Sequence, residues 1–248
     1  MFSSRCRNRR IVVSDGVWYG ATAAGGDGSC NGGSGCGVVY SFDPSSGKFA
    51  TVHRLSDASG WYVSANLLPI RGTLYGTAPD GGAHGAGTVF AVKPTGEFKV
   101  LYSFTGGADG GAPAGALTLV DGLLYGTAAS GGAKGSGVAF SLAASGEETV
   151  LHSFGSRSDG SQPRSNLTYL NGKFYGTTNG GGAFSGGTIF SLTKSGQEIV
   201  ERSLSHADGI FPADGLIQAK GVLYGNTYTG GNDACGGHGC GTVFSYIP

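Results

Sequence analysis

The sequence predicts an all-β fold: a five-bladed β-propeller of four-stranded antiparallel blades, forming a single domain over residues 1–248. Three observations predict it. A Tyr-Gly pair recurs at Tyr19, Tyr75, Tyr125, Tyr175 and Tyr224, with successive spacings of 56, 50, 50 and 49 residues. A two-residue turn ending in glycine recurs five times, at Asp15-Gly16, Arg71-Gly72, Asp121-Gly122, Asn171-Gly172 and Lys220-Gly221. Fifty glycines stand against one methionine, with 13 phenylalanines and 11 tyrosines, a composition of many short strands joined by tight turns. Repetition at roughly 40–50 residues is the period of propeller blades. The strands of a β-sandwich, the alternative, do not repeat their sequence at a fixed long period.

The repeat is clearest between residues 117 and 154. Segment A, Leu117–Val120, would line the central channel. Asp121-Gly122 is a pair that closes a tight hairpin, because the turn needs positive φ. Segment B, Leu123–Ala128, follows, and the loop SGGAKGSG leads to segment C, Val138–Leu142. Ser145-Gly146 then turns the chain into the outer segment D, Thr149–Phe154. The repeat units fall at about 11–60, 67–110, 117–160, 167–209 and 216–248. Most of the longer first spacing lies in its B–C loop, where Gly25 to Gly37 covers 12 positions and Gly81 to Gly87 covers 6. The last unit runs to GTVFSYIP without a segment D, and Met1-Phe2-Ser3-Ser4 resembles the LYSF of Leu101–Phe104. Residues 1–10 are therefore expected to form an arm that completes the last blade as its outer strand. Strand alternation puts the A–B and C–D turns on one face, and the B–C loops and D–A connections on the other.

Charged residues make up 13% of the chain and balance at 16 against 16, so no sequence-wide field favours a phosphate backbone or an anionic membrane surface. Nucleic acid is not an expected partner. No apolar run approaches the roughly 20 residues of a membrane-spanning helix, and membrane insertion is not expected. The start, MFSSRCRNRR, is basic but is not followed by the apolar run of a signal peptide.

The motifs LYGTA at Leu74–Ala78 and Leu124–Ala128, FYGTT at Phe174–Thr178, GTVF at Gly87–Phe90 and Gly241–Phe244, and GTIF at Gly187–Phe190 occur in combination, joined by D-G-x-x-P connections. In these residues the chain resembles the tandem-repeat proteins named GloVer, also described as choice-of-anchor repeat proteins, over nearly its whole length from Ile11. The resemblance implies a secreted or surface-displayed bacterial protein. It implies no established reaction and no catalytic motif.

Candidate functional residues lie on the D–A connections. Asp109, Asp159 and Asp208 each begin Asp-Gly-x-x-Pro, with Asp57 a displaced relative. Carboxylates arrayed on one face could hold a cation, but an Asp before Gly more often bonds its own backbone and fixes a turn. The two residues between that Gly and the Pro vary on a constant frame: Gly111-Ala112, Ser161-Gln162, Ile210-Phe211 and, in the degenerate first connection, Trp61-Tyr62. Such variation is how a propeller diversifies a binding face. Trp61, Tyr62 and Phe211 can stack on sugar rings or can cap the core beneath the loop; Phe184 and His84 at B–C loop tips are weaker candidates. The recurring Tyr19, Tyr75, Tyr125, Tyr175 and Tyr224, with Tyr40, Phe90, Phe140, Phe190 and Phe244 on segment C, are expected to be core.

Of five cysteines, Cys30 and Cys36 close one glycine-rich loop and Cys235 and Cys240 another, so two local disulfides are the simplest reading, with Cys6 left over. Cross-links between the two loops, or a metal shared with His238, are the alternatives; neither pair has the Cys-x2-Cys spacing of structural zinc sites. Close cysteine pairs in loops suit an oxidising compartment.

Catalysis by a five-bladed glycosidase needs carboxylates projecting into the channel. The A segments read IVVS, LLPI, LTLV, LTYL and LIQA, and supply none. No G-x-S-x-G, H-E-x-x-H or phosphate-binding glycine motif occurs, and no cofactor, metal or catalytic residue is expected. The sequence thus points to noncatalytic recognition at or outside the cell surface, with a glycan or surface polymer as ligand. The alternatives are a structural protein that associates with itself and a polysaccharide hydrolase or lyase using the Asp-Gly loops.

Overall fold

The computed structural model describes residues 11–26, 28, 30–63, 65–155, 158–232 and 239–248. The expected arm at residues 1–10 lies outside them. The described chain is all-β apart from two short 3-10 turns, and forms five antiparallel sheets. Sheet 1 contains β1 (Val12–Ser14), β2 (Val17–Ala21), β3 (Val38–Asp43) and β4 (Lys48–Arg54). Sheet 2 contains β5 (Leu68–Ile70), β6 (Thr73–Ala78), β7 (Thr88–Val92) and β8 (Phe98–Ser103). In sheet 3, β9 (Gly111–Pro113) precedes β10 (Thr118–Val120), β11 (Leu123–Ser130), β12 (Val138–Leu142) and β13 (Glu148–Ser153). Sheet 4 repeats this with β14 (Ser161–Pro163), β15 (Thr168–Leu170), β16 (Lys173–Gly180), β17 (Thr188–Leu192) and β18 (Glu198–Ser203). Sheet 5 contains β19 (Ile210–Pro212), β20 (Ile217–Ala219), β21 (Val222–Thr229) and β22 (Val243–Tyr246). Within sheets 1 to 4 the four repeat segments pair in sequence order, and in sheet 5 segments A to C do so among the described residues; the first strands of sheets 1 and 2, 3 and 4, and 4 and 5 lie side by side, as near a propeller axis.

The A–B hairpins form as their sequence requires. Ser14 pairs with Val17, Ile70 with Thr73, Val120 with Leu123, Leu170 with Lys173 and Ala219 with Val222, leaving two residues in each turn. Both turn residues have positive φ, 47–51° at the first and 76–84° at the glycine, which is the type I′ turn whose twist matches the flanking strands.

The glycine of the Tyr-Gly pair has a different duty. A Cβ on Gly76, Gly126, Gly176 or Gly225 would come within 2.4–2.6 Å of the Cζ of Phe90, Phe140, Phe190 or Phe244, and one on Gly20 within 2.4 Å of the Tyr40 hydroxyl. The ring from the third strand therefore lies across the second strand, where no side chain stands. That placement seats the ring against the preceding sheet: Phe90 clusters with Tyr19 and Val39, Phe140 with Val89 and Phe104, and Phe190 with Ala139 and Phe154. Tyr19, Tyr125 and Tyr175 are buried, as expected of core, whereas Tyr224 is exposed. Four such clusters join the five sheets in series.

Threonines of the same motif bond the sheets together. Thr77 Oγ1 donates to Gly115 O at 3.0 Å, Thr127 Oγ1 to Ser165 O at 2.8 Å and Thr177 Oγ1 to Asp214 O at 3.5 Å, in each case a carbonyl on the entry to the next sheet.

The D-G-x-x-P connections differ from their reading as loops. Their last three residues are the strands β9, β14 and β19, which pair with the far half of the second strand: Gly111 opposite Ser130 and Pro113 opposite Ala128, and likewise in sheets 4 and 5. Proline is tolerated because it lies on the sheet edge, where no further strand needs its missing N–H.

The glycine-ring contact predicts that Gly126→Ala lowers the melting temperature by the equivalent of about 1–3 kcal/mol, the cost of overpacking. A Phe140→Leu change should restore part of it in a double-mutant cycle measured by thermal denaturation; additive losses would contradict the contact.

Candidate functional site

Each D–A connection bridges two sheets. It leaves the outer strand of one, and its final residues join the inner edge of the next. The second variable residue faces back to the B–C loop it has just passed: Ala112 N donates to Ala86 O at 2.8 Å, Gln162 N to Ser136 O at 2.8 Å and Phe211 N to Gly186 O at 2.9 Å. The connections and the B–C loops therefore share one face, and the three D-G-x-x-P junctions present the same small constellation there.

At that position the backbone is left-handed in all four copies, with φ of 64° at Tyr62, 53° at Ala112, 53° at Gln162 and 58° at Phe211. None is glycine. The neighbours on the C-terminal side, Val63, Pro113, Pro163 and Pro212, are buried, whereas Gln162 and Phe211 are exposed and Tyr62 and Ala112 partly so. A non-glycine residue held left-handed costs roughly 1–2 kcal/mol, here as at the first residue of each A–B turn.

The aspartates serve the turn that carries this residue. Asp109 accepts from Thr105 N at 2.8 Å, from the Tyr102 hydroxyl at 3.0 Å and from the Thr105 hydroxyl. Asp159 accepts from Gly155 N at 2.9 Å, lies 3.1 Å from His152 Nε2 and is approached by Lys134 Nζ at 3.4 Å. Asp208 accepts from Ser205 N at 3.0 Å, Ser205 Oγ at 2.6 Å and Arg202. Burial raises the Asp109 and Asp159 carboxyls, but these hydrogen bonds outweigh it and hold both below their ordinary value; the Ser205 bonds do the same for Asp208. Burial lowers His152 despite its carboxylate neighbour, so near neutral pH that contact is a hydrogen bond rather than an ion pair. In the first connection Ser59 takes the acceptor role, receiving Ser56 N at 2.7 Å, while Asp57 accepts from Trp61 Nε1 at 3.2 Å.

The three expected aromatics occupy two separate junctions. Trp61 packs partly against the first core cluster and meets Tyr62 edge-on, ring centroids 6.5 Å apart. Phe211 stands at the junction of sheets 4 and 5, held by its backbone to the loop that carries the exposed Phe184. Tyr228, also exposed, is a further aromatic there: the pairing of Ile210 with Thr229 and Pro212 with Thr227 sets it opposite Phe211. Sequence reasoning passed over Tyr228 because it lies within the second-strand run; its signal is the departure from Ala129 and Asn179 at the same repeat position.

Cys30 and Cys36 are disulfide-bonded, with Cα atoms 4.9 Å apart, and both sulfurs' residues are buried in the first core cluster. Cys240 is also disulfide-bonded, but Cys235, Cys6 and His238 lie outside the described residues. Among the described residues no three His, Cys, Asp or Glu side chains gather as a metal site would require.

The model of the Gloeobacter/Verrucomicrobia repeat matches residues 7–244. The chain belongs to that repeat family. This agrees with the resemblance carried by the Tyr-Gly-Thr and Gly-Thr-x-Phe motifs. No curated protein matches. Among solved structures, the repeat protein is similar to a chain of the nidogen/laminin complex, at 14% identity and a TM-score of 0.54 over 86% of this chain and 68% of that one. It is also similar to a proposed 6-phosphogluconolactonase from Bacteroides uniformis, at 17% identity and a TM-score of 0.56 over 94% and 66%, and to the tricorn protease, at 13% and 0.53 over 96% and 21%. At these identities the likeness is one of fold. The repeat protein thus spans about two thirds or less of the length of each.

The junctions carry one titratable feature that the sequence reading did not single out. Glu148 and Glu198 begin the outer strands of sheets 3 and 4, and each has a buried Oε1 with no hydrogen-bond partner. Burial, reinforced by the Asp109 or Asp159 charge of the preceding connection, raises both from 4.5 to about 7. The folded state then holds protons that the unfolded chain has released, so this contribution to stability is present at pH 4.5 and is lost as pH rises through 7. The expected outcome is that wild type melts at a lower temperature at pH 8 than at pH 5.5, and that Glu148→Gln/Glu198→Gln reduces the difference. An unchanged pH dependence in a thermal-melt series would refute the assignment.

Proposed function

We propose that this repeat protein is a noncatalytic recognition module acting at or outside the cell surface, and that it binds glycan through the face shared by its D–A connections and B–C loops. The observation that carries the reading is the strained display position. Four junctions hold Tyr62, Ala112, Gln162 and Phe211 in left-handed backbone that glycine would adopt without strain, which supports a use for the side chain there. The frame beneath is repeated and the displayed residue is not.

The aromatics set the ligand class. Tyr62 and Trp61, whose rings meet edge-on, would supply one platform, and the exposed Phe211, Phe184 and Tyr228 a second at another junction. Flat rings suit the C–H faces of sugars, and two platforms separated by junctions with Ala112 and Gln162 suit a polymer that touches more than one of them, with the avidity that spaced sites give. The balanced charge favours a neutral ligand over a polyanion. A buried Cys30–Cys36 disulfide fits an oxidising compartment. The carboxylates that a hydrolase or lyase would use are engaged by their own turns, which favours binding over catalysis.

The test is Tyr62→Gly and Phe211→Gly, read by melting and by titration with glycans that score on an array. Each variant should melt no lower than wild type, because strain is relieved, and should bind roughly fivefold more weakly, the equivalent of about 1 kcal/mol for a lost aromatic contact. Lower melting with unchanged binding would make these residues core caps and remove the site.

A further inference from the structure

We infer that the Cys30–Cys36 disulfide is the positioning element of the Trp61–Tyr62 pair, doing at the first junction what a short B–C loop does at the others. What the pair binds rests on the glycan reading above; how it is held rests on geometry alone. At three junctions the display residue docks on a loop of constant length, with six positions between its first and last glycines. Ala112 N, Gln162 N and Phe211 N donate to the carbonyls of Ala86, Ser136 and Gly186, each the residue before the last glycine of the loop. Cys36, before Gly37, stands at that position in sheet 1.

The rest of the frame differs at the first junction. Ser59 stands where the other connections have Asp109, Asp159 and Asp208, and Val63 where they have Pro113, Pro163 and Pro212. The loop covers 12 positions from Gly25 to Gly37, against 6 from Gly81 to Gly87. Its base is nevertheless closed in the same way. Gly37 N donates to Gly25 O at 2.9 Å, as Gly87 N does to Gly81 O at 2.9 Å and Gly187 N to Gly181 O at 3.0 Å. A longer closed loop has more conformations to lose, so by length alone the docking position at its end would be the least fixed of the four.

The disulfide removes that freedom. The extra residues fold back on Cys30, whose carbonyl receives Gly33 N at 3.1 Å and Gly35 N at 3.3 Å. Cys30 and Cys36 are 4% and 0% exposed and lie in the cluster against which Trp61 packs. The same cluster holds Leu55 and Val63, which bracket the connection on its two sides. Tyr62, left-handed at φ 64°, meets Trp61 edge-on, so whatever fixes Trp61 fixes the pair. A link across a sequence separation of 6 constrains its own loop far more than the whole chain, which suits a positioning duty at one junction.

The test uses the full chain carrying Trp18→Phe, in which Trp61 is the only tryptophan, with and without Cys30→Ala/Cys36→Ala. The disulfide-free chain should still melt in one transition, yet acrylamide should quench Trp61 fluorescence more strongly than in the parent chain. Binding, titrated with a glycan that scores on an array, should weaken roughly fivefold, as for one lost aromatic contact. Adding Tyr62→Gly should weaken it no further, whereas adding Phe211→Gly should. If the cysteine variant does not fold, residues 26–36 are replaced by the GAHGA of residues 82–86, a short loop that needs no disulfide, and this chain should match the parent in quenching and binding. Unchanged quenching of Trp61 without the disulfide would overturn the inference. So would binding losses that add between the cysteine pair and Tyr62→Gly, or a short-loop chain whose Trp61 is quenched more than the parent's. Quenching needs no ligand, so a protein that binds no glycan loses the binding reading while Trp61 still decides how the pair is held.

Discussion

An aromatic ring lying where a Cβ would otherwise stand is the contact on which the rest of this structure depends. In each sheet the third-strand ring crosses the glycine of the second strand, and a side chain there would push it out of the space it fills. In sheets 2 to 4 the ring then reaches the preceding sheet and closes a core cluster with that sheet's tyrosine or branched residue. Sheets are thereby set face to face at a repeated spacing. Because each sheet supplies the ring for one junction and the pocket for the next, stability is close to a sum over neighbours, as in other repeat architectures.

The same spacing creates the functional face. Once two sheets are stacked, the chain leaving the outer strand of one must cross to the inner edge of the next, passing over the B–C loop. It is held by Asp109, Asp159 or Asp208 at the start of the crossing and by the backbone bond to the loop at its end. Between these two fixed points the left-handed residue has nothing to bury against on its outer side. The junction thus offers a variable side chain at constant geometry, while the chemistry of the frame stays the same from copy to copy.

Much of this was legible in the sequence, for reasons that differ by residue. The A–B turns could be read because a two-residue hairpin tolerates few pairs, and Asp121-Gly122 and Asn171-Gly172 are among them. Tyr-Gly could be read as a period, although its cause, the ring of Phe90 or Phe140 across the glycine, is visible only in three dimensions. The strands β9, β14 and β19 were hidden because glycine and proline on either side of two variable residues look like a loop. Asp57 drew attention as an acidic residue, yet Ser59 stands where the other copies have aspartate; the exchange of a hydroxyl for a carboxylate conceals the equivalence. Tyr228 is an ordinary strand residue by pattern, and its place opposite Phe211 is set by the pairing of β19 with β21.

Hydrogen–deuterium exchange in the presence of an array-identified glycan addresses the central claim most directly, since it reports every backbone amide at once without altering a side chain. Protection on binding is expected at residues 61–62 and at 184–186 with 210–212, with the turns at 15–16, 71–72, 121–122, 171–172 and 220–221 unchanged. Protection of those turns, with the junction segments unaffected, would contradict it and place recognition on the opposite face.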